Sequence, residues 1–476
     1  CGWFFFAIWQ FDIDAPFCCF QALPECIRFP QSSQEEWMPS MSARGRVRSL
    51  QKLLAHAREI MQVEVGFELW DGSTVPDDLA ADAFAIRIAD EGVVAALMRK
   101  PSMETLLNLW VSKRVDLKNG DMFDLVAQKP KVKTRAIRKA LSKWQAFNTA
   151  RKFWFVKRGG PWPLEEQPDD KPSDGSSDAN QKNIGYHYDV SNAFYALWLD
   201  REMVYSCGYC TDWDNDIDQM QQDKLEMICR KLRLKADDHM LDIGCGWGAL
   251  LIHAAQNYGV TGVGLTLSVE QLDYAKARAA QLGLADRIRF ELQDYATVEG
   301  RFDKVVSVGM HEHIGLANHQ TYYETVKRVL KTKGLYLHHA ITRQARADDK
   351  AFKKRNEETR LITKFIFPGG ELDHIGNTIT SFERHGFEVH DVEAWREHYQ
   401  RTCRRWHDRL LANYDAAVAE VGEVKTRLWL VYLGGCSITF QRNGMKVYQT
   451  LVSHKRKGKS GLPPTRADLY RPAEEE

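Results

Sequence analysis

The residues best equipped for chemistry in this 476-residue chain lie beyond residue 200. Asp242-Ile243-Gly244-Cys245-Gly246-Trp247-Gly248 sets three glycines at alternate positions directly after an apolar run. A glycine has no Cβ, so such a loop turns sharply and lets a ligand approach the backbone closely. The spacing is GxGxG, not the GxGxxG of dinucleotide sites. Asp242 stands where a carboxylate can order the loop or accept from a ligand amine, although a plain strand-to-helix turn would use the same glycines. His311-Glu312-His313 puts an acid between two imidazoles. The two histidines lack the i, i+4 spacing of a helical zinc pair, which argues against a metal centre. Glu312 is then either a solvated loop acid or a site carboxylate. Cys207, within Tyr205-Ser206-Cys207-Gly208-Tyr209, is either a small core residue or a site thiol. His338 and His339 are neighbours, so in a strand they face opposite sides.

The elements that position these residues alternate from residue 240 onward. HMLDIG (239–244), VTGVGLTLS (260–268), RIRFELQD (287–294), FDKVVSVGM (302–310) and LYLHHAIT (335–342) read as strands. Residues 247–259, 269–283 and 318–334 read as helices between them. Strands joined through helices imply right-handed crossovers and a parallel sheet covered on both faces. Ligands in such sheets bind at the carboxyl ends of the strands. That edge is where the glycine loop, Glu312 and His339 fall.

The rest of the chain is organised differently. Residues 1–40 are apolar and cysteine-rich, begin with Cys1, and have no Lys or Arg before Arg28. A signal peptide needs a positive start and an unbroken apolar core, whereas Asp12 and Asp14 interrupt this one. The stretch reads as a non-native or disordered leader outside the functional protein. Residues 41–128 read as a small α+β domain: a helix over 47–61, a strand over 62–76 ending at the Asp71–Gly72 turn, a second strand over 84–90, and helices over 91–100, 102–115 and 120–128. Residues 129–158 hold eleven Lys or Arg and no acid, interleaved with Trp144, Phe147, Phe153, Trp154 and Phe155. Basic residues among aromatic anchors suit a helix lying on an anionic membrane; a solvated helical linker and a nucleic-acid contact are the other readings. Residues 165–181 are acidic and rich in Pro, Ser and Gly, the composition of a flexible linker. The 129–182 segment thus separates the small domain from a catalytic region over 183–476.

Composition narrows the class further. Hydrophobic residues make up 44% and charged residues 27%, the mix of a globular protein. Lys plus Arg is 65 against 64 Asp plus Glu, so the chain is not a globally basic nucleic-acid binder. No window approaches 18 uninterrupted apolar residues. Ten cysteines without paired CxxC spacing read as reduced thiols of a cytoplasmic protein.

The strand–GxGxG–helix unit followed by further βα units resembles the class I S-adenosylmethionine (SAM)-dependent methyltransferases. In those enzymes the second strand normally ends in an acid for the ribose hydroxyls. Here it ends Gly264-Leu265-Thr266-Leu267-Ser268, so Gln271 and backbone groups must take that role. Further ordered blocks sharpen the resemblance: residues 186–192 (YHYDVSN), 194–200 (FYALWLD), 203–209 (MVYSCGY), Gln293-Asp294-Tyr295, 309–315 (GMHEHIG) and 365–370 (FIFPGG). Together with the glycine loop and GLTLS they are similar to the cyclopropane-fatty-acid synthases and mycolic acid methyltransferases, over residues 183 to about 454.

The resemblance implies a Rossmann-like, mostly parallel α/β fold with a smaller N-terminal domain. It implies SAM bound by Tyr205, Ser206, Asp242, Gly244, Gly246, Thr266, Leu267, Gln271, Asp294 and Tyr295. It further implies that a cis alkene of a phospholipid acyl chain attacks the SAM methyl, and that bound bicarbonate accepts a proton as the ring closes. The family's ligands for that anion fall on Cys207, Glu312, His339, Tyr399 and the backbone of Ile341. The expected partner is a bilayer with unsaturated chains, met from the cytoplasmic face, with a homodimer as the candidate assembly. The family usually has Phe where this chain has His311, and a titratable ring there would alter acyl-chain placement or proton handling. A fatty-acid C-methyltransferase leaving a branched or methylene product, and an inactive membrane-docking scaffold, are the competing expectations.

Overall fold

The computed structural model describes residues 43–128, 130, 132, 134–165, 190–354 and 357–470, in two compact units, Cys1–Gln167 and Pro168–Glu476. The apolar leader over 1–40, nearly all of the acidic linker, and most of the YHYDVSN block lie outside the described residues.

In the first unit the helix Ala43–Met61 buries Val47, Leu50, Leu54, Ala57 and Met61, one stripe at three- and four-residue spacing. It packs on a sheet of β1 (Gly66–Glu68), β2 (Thr74–Val75), β3 (Ala85–Ile88) and β4 (Val115–Lys118) in the order β2-β1-β3-β4. The long strand expected over 62–76 is instead a short hairpin. The chain reverses through Gly72, at φ +82°, and Thr74–Val75 returns antiparallel to β1. The helix expected over 102–115 stops at Val111. Lys113 takes a left-handed φ of 57°, which breaks the helix and frees β4 to pair with β3. The basic segment forms the helices Thr134–Ala140 and Lys143–Phe153. The second helix tucks Thr149 and Phe153 inward, while Trp144 (71%), Phe147 (57%), Trp154 (67%) and Phe155 (74%) are exposed.

The second unit is built on β5 (His239–Ile243), β6 (Thr261–Thr266), β7 (Ile288–Leu292), β8 (Phe302–Val308), β9 (Leu330–Arg343), β10 (Phe387–Ala394) and β11 (Met445–His454). Their order is β10-β11-β9-β8-β5-β6-β7. Strands β5 to β9 pair in parallel, as the sequence predicts; β11 enters antiparallel between β9 and β10. The helix expected over 318–334 ends at Val329, and the chain passes straight into β9, with a register irregularity opposite β8 before Leu335.

Alternation along the strands splits the core. Leu241, Val263, Val305, Tyr336 and Val452 face one side, beneath Tyr322, Tyr323 and Phe382. Met240, Val306, Leu335, Leu337 and Leu451 face the other, with Leu225, Ile228 and Leu232 from the helix Ile217–Leu232. At the carboxyl edge near β9 and β11 lies a third, aromatic cluster with Tyr195, Trp198, Trp247, Trp395, Trp406 and Trp429. Ring centroids there stand 5.1 to 5.8 Å apart, as between Tyr195 and Trp247 or Tyr195 and Trp429. Such pairs add about 0.5–1.5 kcal/mol each beyond the area they bury. They give the edge a stiff apolar wall.

Candidate active site

Gly244, Gly246 and Gly248 all have positive φ, at 80°, 55° and 90°. A Cβ on Gly244 would stand 2.9 Å from Met310, and one on Gly248 would run into Phe290. A Cβ on Gly246 would meet nothing within 4 Å, so that glycine faces open space. The loop is held by Gly244 N–H and Cys245 N–H, which both donate to the Leu265 carbonyl, at 3.0 and 2.8 Å. Beside it lies a cleft lined by Tyr205, Ser206, Asp242, Gly244, Gly246, Thr266, Leu267, Gln271, Asp294 and Tyr295. These are the ten residues expected from the sequence to hold the cofactor. Thr266 donates to Gln271 Oε1 at 2.8 Å, which orients the amide expected from the sequence to stand in for the usual acid. Asp294 caps the turn after β7 by accepting from Ala296 N–H at 2.8 Å.

Lys224, which sequence reasoning missed, also lines this cleft. Its Nζ donates to Ser206 Oγ at 3.0 Å, and it is buried. Desolvation lowers its pKa to about 8, against the pull of Asp200, Cys207 and Asp242. Burial raises Asp242 to about 7, with Lys224 opposing. A signal was available: Lys224 sits four residues after Met220 and four before Ile228, on the buried stripe of its helix.

The five residues expected to hold an anion are not among those lining this cleft, although Ser206, Met310 and His313 beside Cys207 and Glu312 are. The five are linked through one another's neighbours. Glu312 is buried in the one-turn helix His311–His313 that follows β8. Its Oε1 accepts from Ile341 N–H at 2.5 Å. That peptide donor was expected to face the anion; here the Glu312 carboxyl engages it, because β9 presents it directly to the turn. Glu312 Oε2 is buried and has no hydrogen-bond partner among the described residues. Burial raises the Glu312 pKa to about 7 despite the Ile341 bond. The Ile341 side chain packs on the aromatic cluster that contains Cys207, Trp395 and Tyr399. Cys207 Sγ lies 3.8 Å from the Trp395 carbonyl, and Gly208 N–H donates to Thr402 Oγ1 at 3.0 Å, tying this segment to the helix Arg396–Ala412 that carries Tyr399. Burial pushes both the Cys207 thiol and the Tyr399 hydroxyl well up, so both keep their protons and can donate. His339 meets Trp395 edge to face at 5.3 Å, and its pKa is held far below the usual imidazole range by burial.

The sheet separates the two neighbouring histidines. His338 packs with Tyr322 and Phe382 on the opposite face from His339. His311 joins His338 there, 4.7 Å away and 4.0 Å from His319. The His311 ring, expected to alter acyl placement or proton handling, is buried among His338, His319 and Tyr323 and kept neutral by that burial. The six described cysteines are free and buried.

A seven-stranded sheet of this order, with a glycine loop at the carboxyl edge of its first strand, defines a class I SAM-dependent methyltransferase. The comparisons agree and place it more closely. Residues 176–450 match the family model described as mycolic acid cyclopropane synthetase, and the chain belongs to that family. It is 37% identical over 422 residues to a probable fatty acid methyltransferase of Pseudomonas putida, covering 88% of this chain and 99% of that protein. It is 37% identical over 267 residues to the cyclopropane-fatty-acyl-phospholipid synthase of Escherichia coli K12, covering 56% of this chain and 66% of that one. A solved cyclopropane synthase of Mycobacterium tuberculosis superposes with a TM-score of 0.55 at 28% identity, over 57% of this chain and 97% of that one. A mycolic acid cyclopropane synthase complexed with SAH and CTAB superposes at 0.54 with 30% identity, over 57% and 97%.

Proposed function

We propose that this SAM-dependent methyltransferase adds the donor's carbon across the cis double bond of an unsaturated phospholipid acyl chain and closes a cyclopropane ring. The observation that carries the reading is Glu312: a buried carboxyl in the turn whose Met310 and His313 line the cofactor cleft, bonded to the N–H of Ile341 on the aromatic cluster, with its other oxygen unpartnered among the described residues. Adding a carbon electrophile to an alkene creates positive charge in an apolar pocket and leaves a proton to be removed there. Bound SAM supplies the electrophilic methyl on a sulfonium. An unpaired buried acceptor is costly, so Glu312 Oε2 calls for a polar ligand with a donor. Bicarbonate fits that description: Glu312 would accept from its OH, while His339, Tyr399 and Cys207 would donate to its remaining oxygens. Such an anion would supply a base where water has little access. The Glu312 grip on Ile341 N–H keeps that carboxyl from rotating away.

A second reading is favoured by the name of the Pseudomonas putida relative, which spans most of this chain. Here methyl transfer is the same and the product is a branched or methylene fatty acid. Lipids from cells expressing the enzyme decide between them. Ring and methylene products both gain one CH2, so the acyl chains are separated by chromatography and the ring is sought by NMR. Ring protons support the first reading, a branched or methylene product the second, and unaltered lipids sink both.

Substrate access is proposed to run along a membrane surface, from the cytoplasmic side. Trp144, Phe147, Trp154 and Phe155 are exposed together in a segment without acids over 129–158. Among the described residues no helix is long and apolar enough to cross a membrane. Each Lys or Arg near an anionic surface adds on the order of 1 kcal/mol, screened by salt. Binding to anionic liposomes should fall as salt rises and fall again when the four rings are changed to Ala. Insensitivity to both would leave the segment a solvated helix.

A further inference from the structure

The register of the sheet aligns three polar side chains in one row. His339 on β9 pairs with Gln449 on β11, and Gln449 pairs with Glu393 on β10. Cross-strand partners project from the same face. The helix Ile217–Leu232 covers that face and lowers Lys231 onto the row, buried to 2% exposure. Lys231 Nζ bonds Glu393 Oε2 and also donates to Gln449 Oε1 at 2.7 Å. Gln449 Nε2 stands 3.0 Å from His339 Nδ1. Trp395 closes the arrangement: its indole N–H donates to Glu393 Oε2 at 2.7 Å, and its ring lies 5.2 Å from Lys231 Nζ.

Hydrogen-bond direction in this row runs one way. An ammonium only donates, so the Gln449 group facing Lys231 is the oxygen. The Gln449 group facing His339 is then the NH2, which also only donates. His339 Nδ1 must therefore present a lone pair, and a neutral imidazole with a bare Nδ1 carries its proton on Nε2. Burial of the ring, helped by the charges of Lys224 and Lys231, keeps it neutral.

We infer that Gln449, oriented by Lys231, is a positioning residue that locks His339 in the Nε2–H tautomer. The far edge of the ring is thereby a hydrogen-bond donor and not a base. The inference rests on the reading of His339 as an anion ligand, for which a donor attracts and a lone pair repels. It assigns a role to a residue more than a hundred positions from His339 along the chain, midway along the last strand.

The test uses the full-length enzyme labelled with 15N-histidine. Long-range proton–nitrogen correlation reads the tautomer of each ring, and the His339→Gln variant identifies the His339 signals. The parent should show a protonated Nε2. Gln449→Glu, nearly the same size, places an acceptor against Nδ1 and should move the proton there. Product formation on unsaturated phospholipid vesicles should fall roughly 10–10²-fold, less than the roughly 10²–10⁴ of a lost acid–base group, because the ring stays in place and only its donor edge is reversed, with SAM affinity by calorimetry held. Gln449→Met, which keeps the shape and removes both bonds, should give mixed tautomers and an intermediate rate, and serves if the Glu variant does not fold. An Nε2–H signal that persists in both variants overturns the inference. So does a reversed tautomer with parental turnover in an enzyme that His339→Gln cripples. If His339→Gln itself turns over at the parent rate, the anion-site reading falls, and the tautomer result alone judges whether Gln449 sets the ring.

Discussion

The helix Ile217–Leu232 buries a lysine at each of two points on its sheet face, and the surroundings of the two differ in kind. Lys224 looks onto Ser206, Asp242 and a loop whose shape is set by backbone conformation. Lys231, two turns further on, looks onto Glu393 and Gln449, side chains drawn from separate strands. The first place is built from main chain and one contiguous motif. The second is built from side chains that only the sheet's register brings together. A backbone-built site tolerates change at most positions except its glycines, whereas a side-chain-built site depends on every hydrogen-bond direction along its row.

That contrast sets what should break each half. Glu312→Gln keeps size but offers a donor where an acceptor is required, so product formation should drop by roughly 10²–10⁴ with SAM affinity little changed. Rate on phospholipid vesicles, with calorimetry alongside, checks it; parental turnover would remove Glu312 from the site. His339→Gln should lose less, roughly tenfold to a hundredfold, since one donor among several is removed. On the other half, Gly246→Val should spare the fold's packing, because a Cβ there meets nothing within 4 Å. It should weaken SAM binding by about tenfold or more, since a branched residue at φ 55° carries strain of order 1–3 kcal/mol and fills the ligand's approach. Unchanged affinity in a folded Gly246→Val protein would show that the cleft is not the SAM site.

The pH dependence sharpens the comparison more gently. Glu312 ionises near pH 7, so at saturating SAM the rate should rise through about pH 7, and this limb should vanish in Glu312→Gln. The stability consequence has the opposite sign. A carboxyl whose pKa is raised on folding holds its proton in the folded state, so its contribution is full below the unfolded pKa of about 4.3 and is lost as pH climbs through the folded value. Melting temperatures of parent and Glu312→Gln should therefore diverge in favour of the variant between about pH 4.5 and 7. Lys224→Met should extend the same kind of loss to higher pH through Asp242, whose buried carboxyl would no longer have a cation opposing its protonation. Curves that stay parallel across this range would contradict the assigned ionisations.

The backbone-built half was the legible one. DIGCGWG announces itself because the glycines, the strand and the helix are adjacent in sequence, and all ten residues read as the cofactor set surround one cleft. The parallel strands β5 to β9 were legible for the same reason, as apolar runs between helices. Strands β10 and β11 were not read. With Glu393, Gln449, Thr450 and Ser453 pointing inward or along the row, they match neither the continuous apolar run of a buried strand nor a clean alternation. Lys231 and Gln449 were illegible for a deeper reason: their significance is directional and appears only once register places donor against acceptor. The two ends of the elements expected over 102–115 and 318–334 failed locally, one at a left-handed Lys113 and the other where helix ran into strand without a turn residue.

The antiparallel entry of β11 carries a consequence for how the enzyme is made. Lys231 and Gln449 are separated by 218 positions and His339 and Gln449 by 110, whereas the glycine loop closes on the very next strand. On the ribosome, chain segments fold as they emerge, near contacts before distant ones. A nascent chain that has delivered β5 and β6 already has its glycine turn, yet the ring of His339 waits for a partner still unsynthesised. The glycine turn is thus complete in the order of synthesis before the His339 row, and a chain halted before β11 would lack the Gln449 partner of that ring.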